Sequence, residues 1–556
     1  MLNTIEVELL RNALGSIAEE MYFALMKSAY STNIKERRDH SAAIFDARGR
    51  IVVQGESLPL HLASMLGLVE VVLDRHDLDS LRPGDMFVSN DPFVGRGSHL
   101  PDVALMSPVF QNGRPVLFVA NIAHHADIGG MAPGSMAGGM TEIYQEGLRI
   151  PPIKLLSEGA IVTDVLDLIL LNVRVPEERR GDYMAQVAAN KLGERRCLEL
   201  MQRWPLDAID DGADKIIAAV ARRMRAAISD LPDGVYEFSD VMDDDGIDST
   251  QIPIVVRIEI KGDEILFDFS GSATQVKGNI NVSYAGLQAA VFFALKVLVD
   301  PDAPSNHGML DPIRIEAPLG TIVNAQFPAA TAARAQTCQR IVDVIFGALA
   351  KTIPQRIMAA GNGANTTTTF SGVGADGTYY VYLETIGGGV GARSDKDGAD
   401  AVQAHLTNTS NLPIEALENE YPLMIERYEL VADSGGAGTW RGGLGLRRVY
   451  RPLGHTLTFS GQGERFVNRP WGLFGGAAGA CGAFELWSDG AAAMALAGKA
   501  SAVTVSEQQC LAVTTPGAGG YGAPHERNRD LIAADIANEK LSLADARRWY
   551  DWKGED

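Results

Sequence analysis

The chain has 556 residues, of which 46% are hydrophobic and 21% charged, with 58 glycines, as in a globular protein with many turns. Its length exceeds what one hydrophobic core usually serves, so we expect two to four domains. The 70 acidic and 49 basic residues give a net charge of −21, which argues against nucleic acid or an anionic membrane as a partner, because both require a clustered positive surface.

The cysteines and the N-terminal residues indicate the compartment. The 4 cysteines are scattered without a CxxC pair, which argues against a disulfide framework or a cysteine-rich zinc site. Glu6 and Glu8 stand where a signal peptide would have a basic start and an apolar block. No run of about 18 apolar residues, the length of a membrane-spanning helix, occurs. We therefore expect a cytoplasmic protein.

The first part of the chain predicts helices alternating with short strands. Residues 4–31 carry apolar residues at helical spacing and predict a long amphipathic helix. The further predicted elements are a hairpin at 37–55, a helix at 59–76, a strand with a turn at 84–92, and helices at 161–200 and 206–230.

The composition changes near residue 232. Strands are predicted over 234–282, then two apolar helices near 283–299 and 336–351, and a short helix in SLADARRWYDW. Beyond about residue 365 the chain is rich in turns and glycine and reads as mainly β. We predict a multi-domain α+β protein. A metal-bearing α/β domain would span 1–232, and mixed α/β to mainly β domains with a few helices would span 233–556.

Residues 98–130, SHLPDVALMSPVFQNGRPVLFVANIAHHADIGG, hold two strand-like runs and three of the chain's 10 histidines. Asn112-Gly113 between the runs is a strong hairpin signal. A two-residue loop would place Asp102 opposite Ala123, and a three-residue loop would place it opposite His124. In either register the two ends of the stretch meet, with opposed Cβ atoms about 5 Å apart.

Imidazole and carboxylate groups that meet at a strand end suggest a metal site. Neutral histidine and ionised aspartate suit Zn, Mn or Fe(II), and the lack of cysteine argues against a purely structural zinc site. Ligands that leave one coordination position open to water would make the site catalytic. The HxxD pattern of His99 and Asp102 is weak by itself, so mutual hydrogen bonding of these side chains stays open as the alternative.

Motifs spread over residues 35–528 carry a resemblance to a known family. They are SNDPFVGRGSHLPDV, AHHADIGGMAPGSM, TEIYQEGLRIPPIKL, VKGNINVS, ARAQTCQRIVDVIFGALA, ETIGGGVGAR, HLTNTSNLPIEALE, YELVADSGGAGTWRGGLGLRR and TPGAGGYGAPHER. Through them the chain resembles the hydantoinase B/oxoprolinase family. That family includes the B subunit of ATP-dependent N-methylhydantoinases, the second half of 5-oxoprolinase, a caprolactamase subunit, and the large subunit of acetone and acetophenone carboxylases.

The resemblance implies a set of metal ligands. Family members hold one divalent metal, here expected to be Zn or Mn, on an HxxD pair and a second histidine. These positions fall on His99, Asp102 and His124, and Asp39 resembles a fourth ligand. Arg96 lies in the tripeptide before His99, where family members usually read GGT. It indicates either a more anionic substrate or an arginine that faces solvent.

Further candidates flank these ligands. His125 and Asp127 could transfer protons, although orienting a ligand is the commoner role for such neighbours. Glu146 is a candidate base or substrate contact, with a salt bridge to Arg149 as the alternative.

Four more residues have mainly structural interpretations. Asn90 and Asp91 are expected to shape the turn before Pro92. Arg334 and Arg340 suit anion contacts and buried ion pairs equally well.

No phosphate-binding fingerprint is present in the sequence. The segment GGGVGAR lacks the lysine and the spacing of a Walker motif and indicates a tight turn or a close approach of the backbone. Because the family's chemistry consumes ATP, the resemblance implies that ATP–Mg binds to a separate partner, a hydantoinase A-like subunit with a sugar-kinase-like fold.

The resemblance also implies a division of labour. The partner would phosphorylate the oxygen of an amide, lactam or enolised ketone, and this chain would add metal-bound water to the activated carbon. We predict the B subunit of an ATP-dependent hydantoinase or oxoprolinase-type amidohydrolase, acting on a lactam or hydantoin in a hetero-oligomer. The alternatives are a large subunit of an acetone or acetophenone-type ketone carboxylase, a 2-His-1-carboxylate Fe(II) oxygenase, and a scaffold with a structural metal. Asp39 as a fourth ligand would speak against the oxygenase.

Overall fold

The computed structural model describes residues 2–55, 58–363 and 365–554. Its helices are α1 (Thr4–Ser28), α2 (Thr32–Lys35), α3 (Pro59–Met65), α4 (Leu68–Leu73), α5 (Ile143–Glu146), α6 (Thr163–Leu171), α7 (Pro176–Met201), α8 (Leu206–Ser229), α9 (Tyr284–Val299), α10 (Arg334–Leu349), α11 (Ile414–Glu420), α12 (Arg529–Ala537) and α13 (Leu543–Tyr550). Among the described residues, no helix combines the length and the apolar composition needed to cross a membrane.

The strands form four sheets. They are β1 (His40–Asp46), β2 (Ile51–Gln54), β3 (Met86–Ser89), β4 (Asp102–Gln111), β5 (Arg114–His124), β6 (Ile153–Ser157), β7 (Ala160–Ile161), β8 (Gly234–Asp244), β9 (Thr250–Lys261), β10 (Glu264–Asp268), β11 (Ile313–Glu316), β12 (Thr366–Val373), β13 (Tyr379–Ile386), β14 (Leu423–Leu430), β15 (Leu446–Pro452), β16 (Leu457–Gln462), β17 (Ala483–Ser488), β18 (Met494–Leu496), β19 (Lys499–Val505) and β20 (Gln509–Thr514).

The first sheet has the strand order β2-β1-β5-β4-β3-β6-β7, and its inner strands β1, β5, β4 and β3 are largely buried on both faces. Because successive strand residues point to opposite faces, β1 contributes to two cores. Ala42 and Ile44 join a cluster with α1, whereas Ala43 and Phe45 join a larger cluster with α4, α9 and α10. Helices therefore pack against the part of the sheet where β4 begins and β5 ends, which carries the histidines.

The second sheet, β11-β10-β9-β8, packs against α10, and its buried side chains belong to the same large cluster. The predicted joint near residue 232 falls between α8 and β8, but the hydrophobic core continues across it. The division into 1–232 and 233–556 thus stays a prediction.

The C-terminal part contains the sheets β13-β12-β16-β19 and β14-β15-β20-β17-β18. Its glycines permit close backbone packing, as the GGGVGAR pattern indicated. A Cβ atom on Gly389 would lie 2.1 Å from the carbonyl oxygen of Gly443, and one on Gly391 would lie 1.7 Å from that of Ala359. The predicted multi-domain α+β class, with a mainly β C-terminal region, is confirmed.

The predicted elements differ from the structure in several places, including three helical regions. The helix expected at 59–76 is two helices, α3 and α4, because Gly67 takes a left-handed φ of 81° between them. The helix expected at 161–200 is interrupted before α7, where Val175 has a φ of 55°. Helix α12 was not predicted, because its short stretch carries little apolar periodicity.

Candidate metal centre

The hairpin of β4 and β5 brings the two ends of the histidine-rich stretch together. Asn112 and Gly113 have φ angles of 52° and 80°, the left-handed conformations that a two-residue hairpin turn requires. Gln111 pairs with Arg114, as predicted for that turn, yet a bulge after Val109 shifts the register by one residue. Asp102 therefore pairs with His124, which the sequence had assigned to the longer loop.

Three side chains form a compact ligand set at this end of the hairpin. Candidate ligand atoms of His99, Asp102 and His124 all lie within 4.8 Å of one another. The three residues are 0%, 2% and 6% exposed. His99 Nε2 lies 3.1 Å from Asp102 Oδ1. Two imidazoles and one carboxylate are thus gathered in a site almost closed to solvent.

Two polar atoms of this set have no hydrogen-bond partner among the described residues, namely His99 Nε2 and Asp102 Oδ1. Buried polar atoms are nearly always paired, because an unpaired one costs free energy. His99 Nδ1 lies 2.8 Å from the carbonyl oxygen of Ala332. A carbonyl can only accept, so Nδ1 carries the proton and Nε2 presents its lone pair to the site.

Burial and neighbouring charges set the protonation of these ligands. Burial, reinforced by Arg334, lowers the pKa of His99, and burial, reinforced by His99, holds the pKa of His124 well below its ordinary value. Burial alone would raise the pKa of Asp102, but His99 and Arg334 outweigh it, so that pKa lies well below its ordinary value. Neutral histidines and an ionised aspartate are the forms that bind metal ions.

Neighbouring side chains fix the positions of the ligands. Asp102 Oδ2 accepts hydrogen bonds from Ser98 Oγ at 2.7 Å and from Arg334 Nη2 at 2.6 Å. The amide nitrogen of Asn33 lies 3.1 Å from His124 Nδ1 and donates to the His124 carbonyl oxygen at 2.6 Å. Ser98 and Arg334 thus orient the Asp102 carboxylate, as hydrogen-bond partners of metal ligands commonly do.

Asp39, the fourth ligand implied by the resemblance, lies near the set but is not part of the three-residue group. His61 lies close to both carboxylates: His61 Nε2 is 3.7 Å from Asp39 Oδ1 and 3.6 Å from Asp102 Oδ1. Burial raises the pKa of Asp39. His61 could not be picked out from the sequence, because a single histidine in the apolar helix α3 carries no spacing signal.

The structure places His125 and Asp127 outside the ligand set. His125 Nε2 lies 3.0 Å from Gln186 Oε1, and burial lowers the pKa of the ring to about 4. The carboxylate of Asp127 accepts from the backbone of Gly129 and Gly134 and pairs with Arg174 at 3.0 Å. Those contacts organise the loop after β5, and the structure does not bring Asp127 into the cavity beside the ligands.

Glu146 is fully buried behind His99. Its Oε1 accepts from the backbone nitrogens of Thr331 and Ala332 at 2.6 and 2.7 Å, and Ala332 in turn accepts from His99. Burial raises the pKa of Glu146 to about 8. The salt bridge to Arg149 that the sequence left open is absent, because Arg149 pairs with Asp91 at 2.6 Å.

The remaining arginines form ion pairs. Arg334 pairs with Asp102 in the site, and buried Arg340 lies 3.4 Å from Glu464, so the ion-pair alternative holds for both. Arg96 pairs with Glu70 and its side chain is half exposed, which favours the solvent-facing alternative.

Asp91 and Asn90 shape the loop between β3 and Pro92 as predicted. Asp91 Oδ1 accepts from the backbone nitrogens of Phe93 and Val94, and Asn90 Oδ1 accepts from that of Ile150.

A small cavity of about 20 Å³ adjoins the ligands. That volume holds about one or two water molecules. On the far side, the polar residues Asn365, Thr385, Thr407 and Thr409 face it from the C-terminal part of the chain. Asn365 Oδ1 is buried and has no hydrogen-bond partner among the described residues.

The ligand set fits a divalent cation. Its two unpaired atoms are acceptors that a cation would satisfy, and its donors suit Zn, Mn or Fe(II).

The chain is similar to several known proteins. The family model described as hydantoinase B/oxoprolinase matches residues 3–524. An uncharacterized protein of Methanocaldococcus jannaschii is 40% identical, over 99% of this chain and 96% of its own length. The caprolactamase subunit beta of Pseudomonas jessenii is 32% identical, over 99% and 96%. The match to 5-oxoprolinase 1 of Arabidopsis thaliana is 33% identical over 94% of this chain and 42% of that protein.

Two solved structures share the fold. The ATP-dependent caprolactamase from Pseudomonas jessenii superposes with a TM-score of 0.93 at 30% identity, covering 99% of this chain and 96% of the other. A nucleotide-free acetone carboxylase superposes with a TM-score of 0.89 at 18% identity, covering 99% and 80%. At that identity the second match concerns the fold alone.

Proposed function

The chain belongs to the hydantoinase B/oxoprolinase family, and from that membership and the geometry of its site we propose that it is the ring-opening subunit of an ATP-dependent cyclic-amide hydrolase. A partner subunit would activate the amide with ATP, and this chain would hydrolyse the activated ring. The relatives at 30% identity or above include a caprolactamase subunit and a 5-oxoprolinase, whose names denote amide hydrolysis.

The ligand set of His99, Asp102 and His124 carries the proposal. Its unpaired acceptor atoms, its closure to solvent and its protonation state all suit a bound Zn or Mn ion. When bound, such an ion lowers the pKa of a coordinated water from 15.7 towards about 7 and so supplies a nucleophile near neutral pH. Asp39 lines the same small cavity as Asp102 and His124 and would be the fourth ligand.

The chain's own residues would hold the reactants. Asn365 Oδ1 is an unpaired acceptor at the cavity and suits the N–H of an amide ring. Arg334 keeps Asp102 ionised and neutralises part of the negative charge that develops on an attacked amide. Glu146 supports His99 through Ala332, which makes it a positioning residue of the site rather than a group that touches substrate.

The ATP site would lie on a hydantoinase A-like partner. This chain carries no Walker-type sequence, and its relative in Pseudomonas jessenii is named as a subunit. A labile phosphorylated intermediate is used most efficiently when the donor site is close, so we expect a stable hetero-oligomer.

Purification of the native complex followed by a substrate screen tests this function. ATP hydrolysis should be stimulated by hydantoins, lactams or 5-oxoproline, and ring-opened acids should form in proportion. Bicarbonate-dependent consumption of a ketone, with no ring opening, would instead identify a carboxylase. Oxygen consumption without ATP would point to a 2-His-1-carboxylate oxygenase, because such enzymes bind their metal with the same three ligands, two histidines and one carboxylate.

A further inference from the structure

A second, larger cavity lies next to the small one at the candidate metal centre. It has a volume of about 930 Å³ and is bounded by α1, β2, α9 and the loop after α9. Pockets for small organic ligands typically measure about 300 to 1,000 Å³. By contrast, the cavity at the metal ligands, at about 20 Å³, admits water but no ring compound. A ring compound can therefore reach the ligands only if part of the lining of this small cavity moves.

Two short segments form a wall one residue thick between the cavities. In the first, Pro59 lines the large cavity, whereas Leu58, Leu60 and His61 line the small one. In the second, Asn408 lines the large cavity and is exposed, whereas its buried neighbours Thr407 and Thr409 line the small one.

The two segments are joined to each other. The backbone nitrogen of Leu60 donates to the carbonyl oxygen of Leu406 at 3.3 Å. His405, the residue before Leu406, has a φ of 52°, a left-handed conformation that is unfavourable for a non-glycine residue. Strain of this kind is common where a segment must switch between two arrangements.

The large cavity offers apolar surface and hydrogen-bonding groups to a small ring compound. Phe292 and Phe293 on α9 offer flat apolar surface, and Lys296 lies three to four residues later on the same helix face. The ammonium of Lys296 donates to Ser305 Oγ at 3.0 Å at the cavity wall. The acidic residues Glu19 and Asp302 also line it, on exposed parts of the rim.

We propose that the 930 Å³ cavity is an antechamber that receives the substrate of the metal centre, and that the wall of residues 58–61 and 407–409 parts to pass it through. The ligand class is a small cyclic amide, and this assignment rests on the proposed function. The existence of the passage does not rest on that function, and it can be tested without turnover.

Labelling of single cysteines with iodoacetamide, itself a small amide, tests the passage. Cys481 is replaced by serine in the full-length protein, because the three other native cysteines are buried. Asn408→Cys then reports from the antechamber and Thr407→Cys from the metal side. We expect Thr407→Cys to react at least 10-fold more slowly than Asn408→Cys.

Thinning the wall should open it. Adding Leu60→Ala should speed the labelling of Thr407→Cys at least 10-fold and leave that of Asn408→Cys unchanged. Leu457→Ala, which truncates an equally buried leucine in the C-terminal core, is the matched control and should not speed it. Leu60→Val gives a milder opening if the alanine variant does not fold. If Thr407→Cys is labelled at the same rate with and without the Leu60 substitutions, Leu60 is not part of a wall and the proposal is wrong.

Filling the antechamber should close the route again. Gly15 in α1 lines the cavity, and a Cβ atom there would meet no other atom within 4 Å. Gly15→Trp should slow the labelling of Thr407→Cys in the Leu60→Ala background at least 5-fold, and Gly15→Ala should not. If Gly15→Trp leaves that rate unchanged, the reagent enters elsewhere and the antechamber is wrong.

Activity assays of the complex distinguish a failure of the proposed passage from a failure of the proposed function. Gly15→Trp should lower kcat/KM for the ring amide at least 10-fold while the metal content stays unchanged. One outcome is that labelling confirms the wall and the route while the unmodified complex hydrolyses no ring amide. That combination would support the passage and refute the hydrolase assignment.

Discussion

His124 and His125 are adjacent in the chain, but their rings have different surroundings. His124 joins His99 and Asp102, whereas His125 stacks near Tyr183 with 4.6 Å between ring centroids and contacts Gln186. His124 is the last residue of β5, and His125 follows the strand. The structure thus places His124, which the resemblance implied as a ligand, beside His99 and Asp102, and gives His125 other neighbours.

Replacing each histidine in turn tests that distinction. His124→Ala should lower the metal content from about one ion per chain to near zero, because it removes one of three ligands. The fold should persist, since a ligand at a strand end contributes little to the core. His125→Ala is the matched control and should keep its metal. Elemental analysis of both purified proteins measures the difference, and the reverse pattern would show that the wrong histidine was chosen.

Glu146 gives a pH-dependent prediction. Folding raises its pKa from 4.5 to about 8 by burial, so the carboxyl stabilises the fold only while it is protonated. That contribution is complete below pH 4.5 and is lost as the pH rises towards 8. Glu146→Gln keeps the acceptor for Thr331 and Ala332 and removes the charge. The variant should therefore gain about 2 to 4 kcal/mol in free energy of unfolding, relative to the parent, between pH 5 and pH 8.

Urea unfolding with a chelator present measures this gain without a contribution from metal binding. A gain of the same size at both pH values would contradict the raised pKa. In the active complex, Glu146→Gln should retain its metal and change kcat only modestly, whereas a loss of turnover of 1,000-fold or more would restore Glu146 as the candidate base.

At the scale of elements, the hairpin was predictable because its signals are local. Asn112-Gly113 specifies the turn, and the alternating apolar runs specify the strands. The bulge after Val109 was not predictable, since it depends on how β5 pairs with both β4 and β1. The break at Gly67 had a local cue in the glycine itself, but helical periodicity on either side concealed it.

Two glycine substitutions with the same chemical change should have opposite effects. Gly113 has a φ of 80°, and an added methyl group would meet no other atom within 4 Å, so Gly113→Ala should cost about 1 kcal/mol from backbone strain alone. Gly15 also has open space but lies inside α1, so Gly15→Ala should gain about 0.5 to 1 kcal/mol. Chemical denaturation of both variants checks the signs. Destabilisation by both would contradict the helical assignment of Gly15.

At the scale of the whole molecule, the site depends on contacts between distant parts of the chain. His99, Asp102 and His124 were predictable because one hairpin holds them. Arg334, Asn365 and Thr407 reach the same cavity from the other half of the chain. No spacing in the sequence links them to the hairpin, and only the shared core brings them there. His61 arrives by the docking of α3 and was missed for the same reason.

The division of labour predicts that this chain alone does not bind ATP. Calorimetric titration of the isolated chain with ATP–Mg should release no heat of binding, and binding should appear once the partner subunit is added. The reason is that the chain has no phosphate-cradling sequence. Micromolar ATP binding by the isolated chain would refute the division.

The central claim is that this chain completes, at His99, Asp102 and His124, a reaction that its partner starts with ATP. The most direct test is the ratio of ring-opened product to ATP hydrolysed in the reconstituted complex, measured with the parent chain and with His124→Ala. The account predicts a ratio close to one for the parent. For the variant it predicts a ratio near zero while ATP hydrolysis continues. An unchanged ratio in the metal-free variant would contradict it.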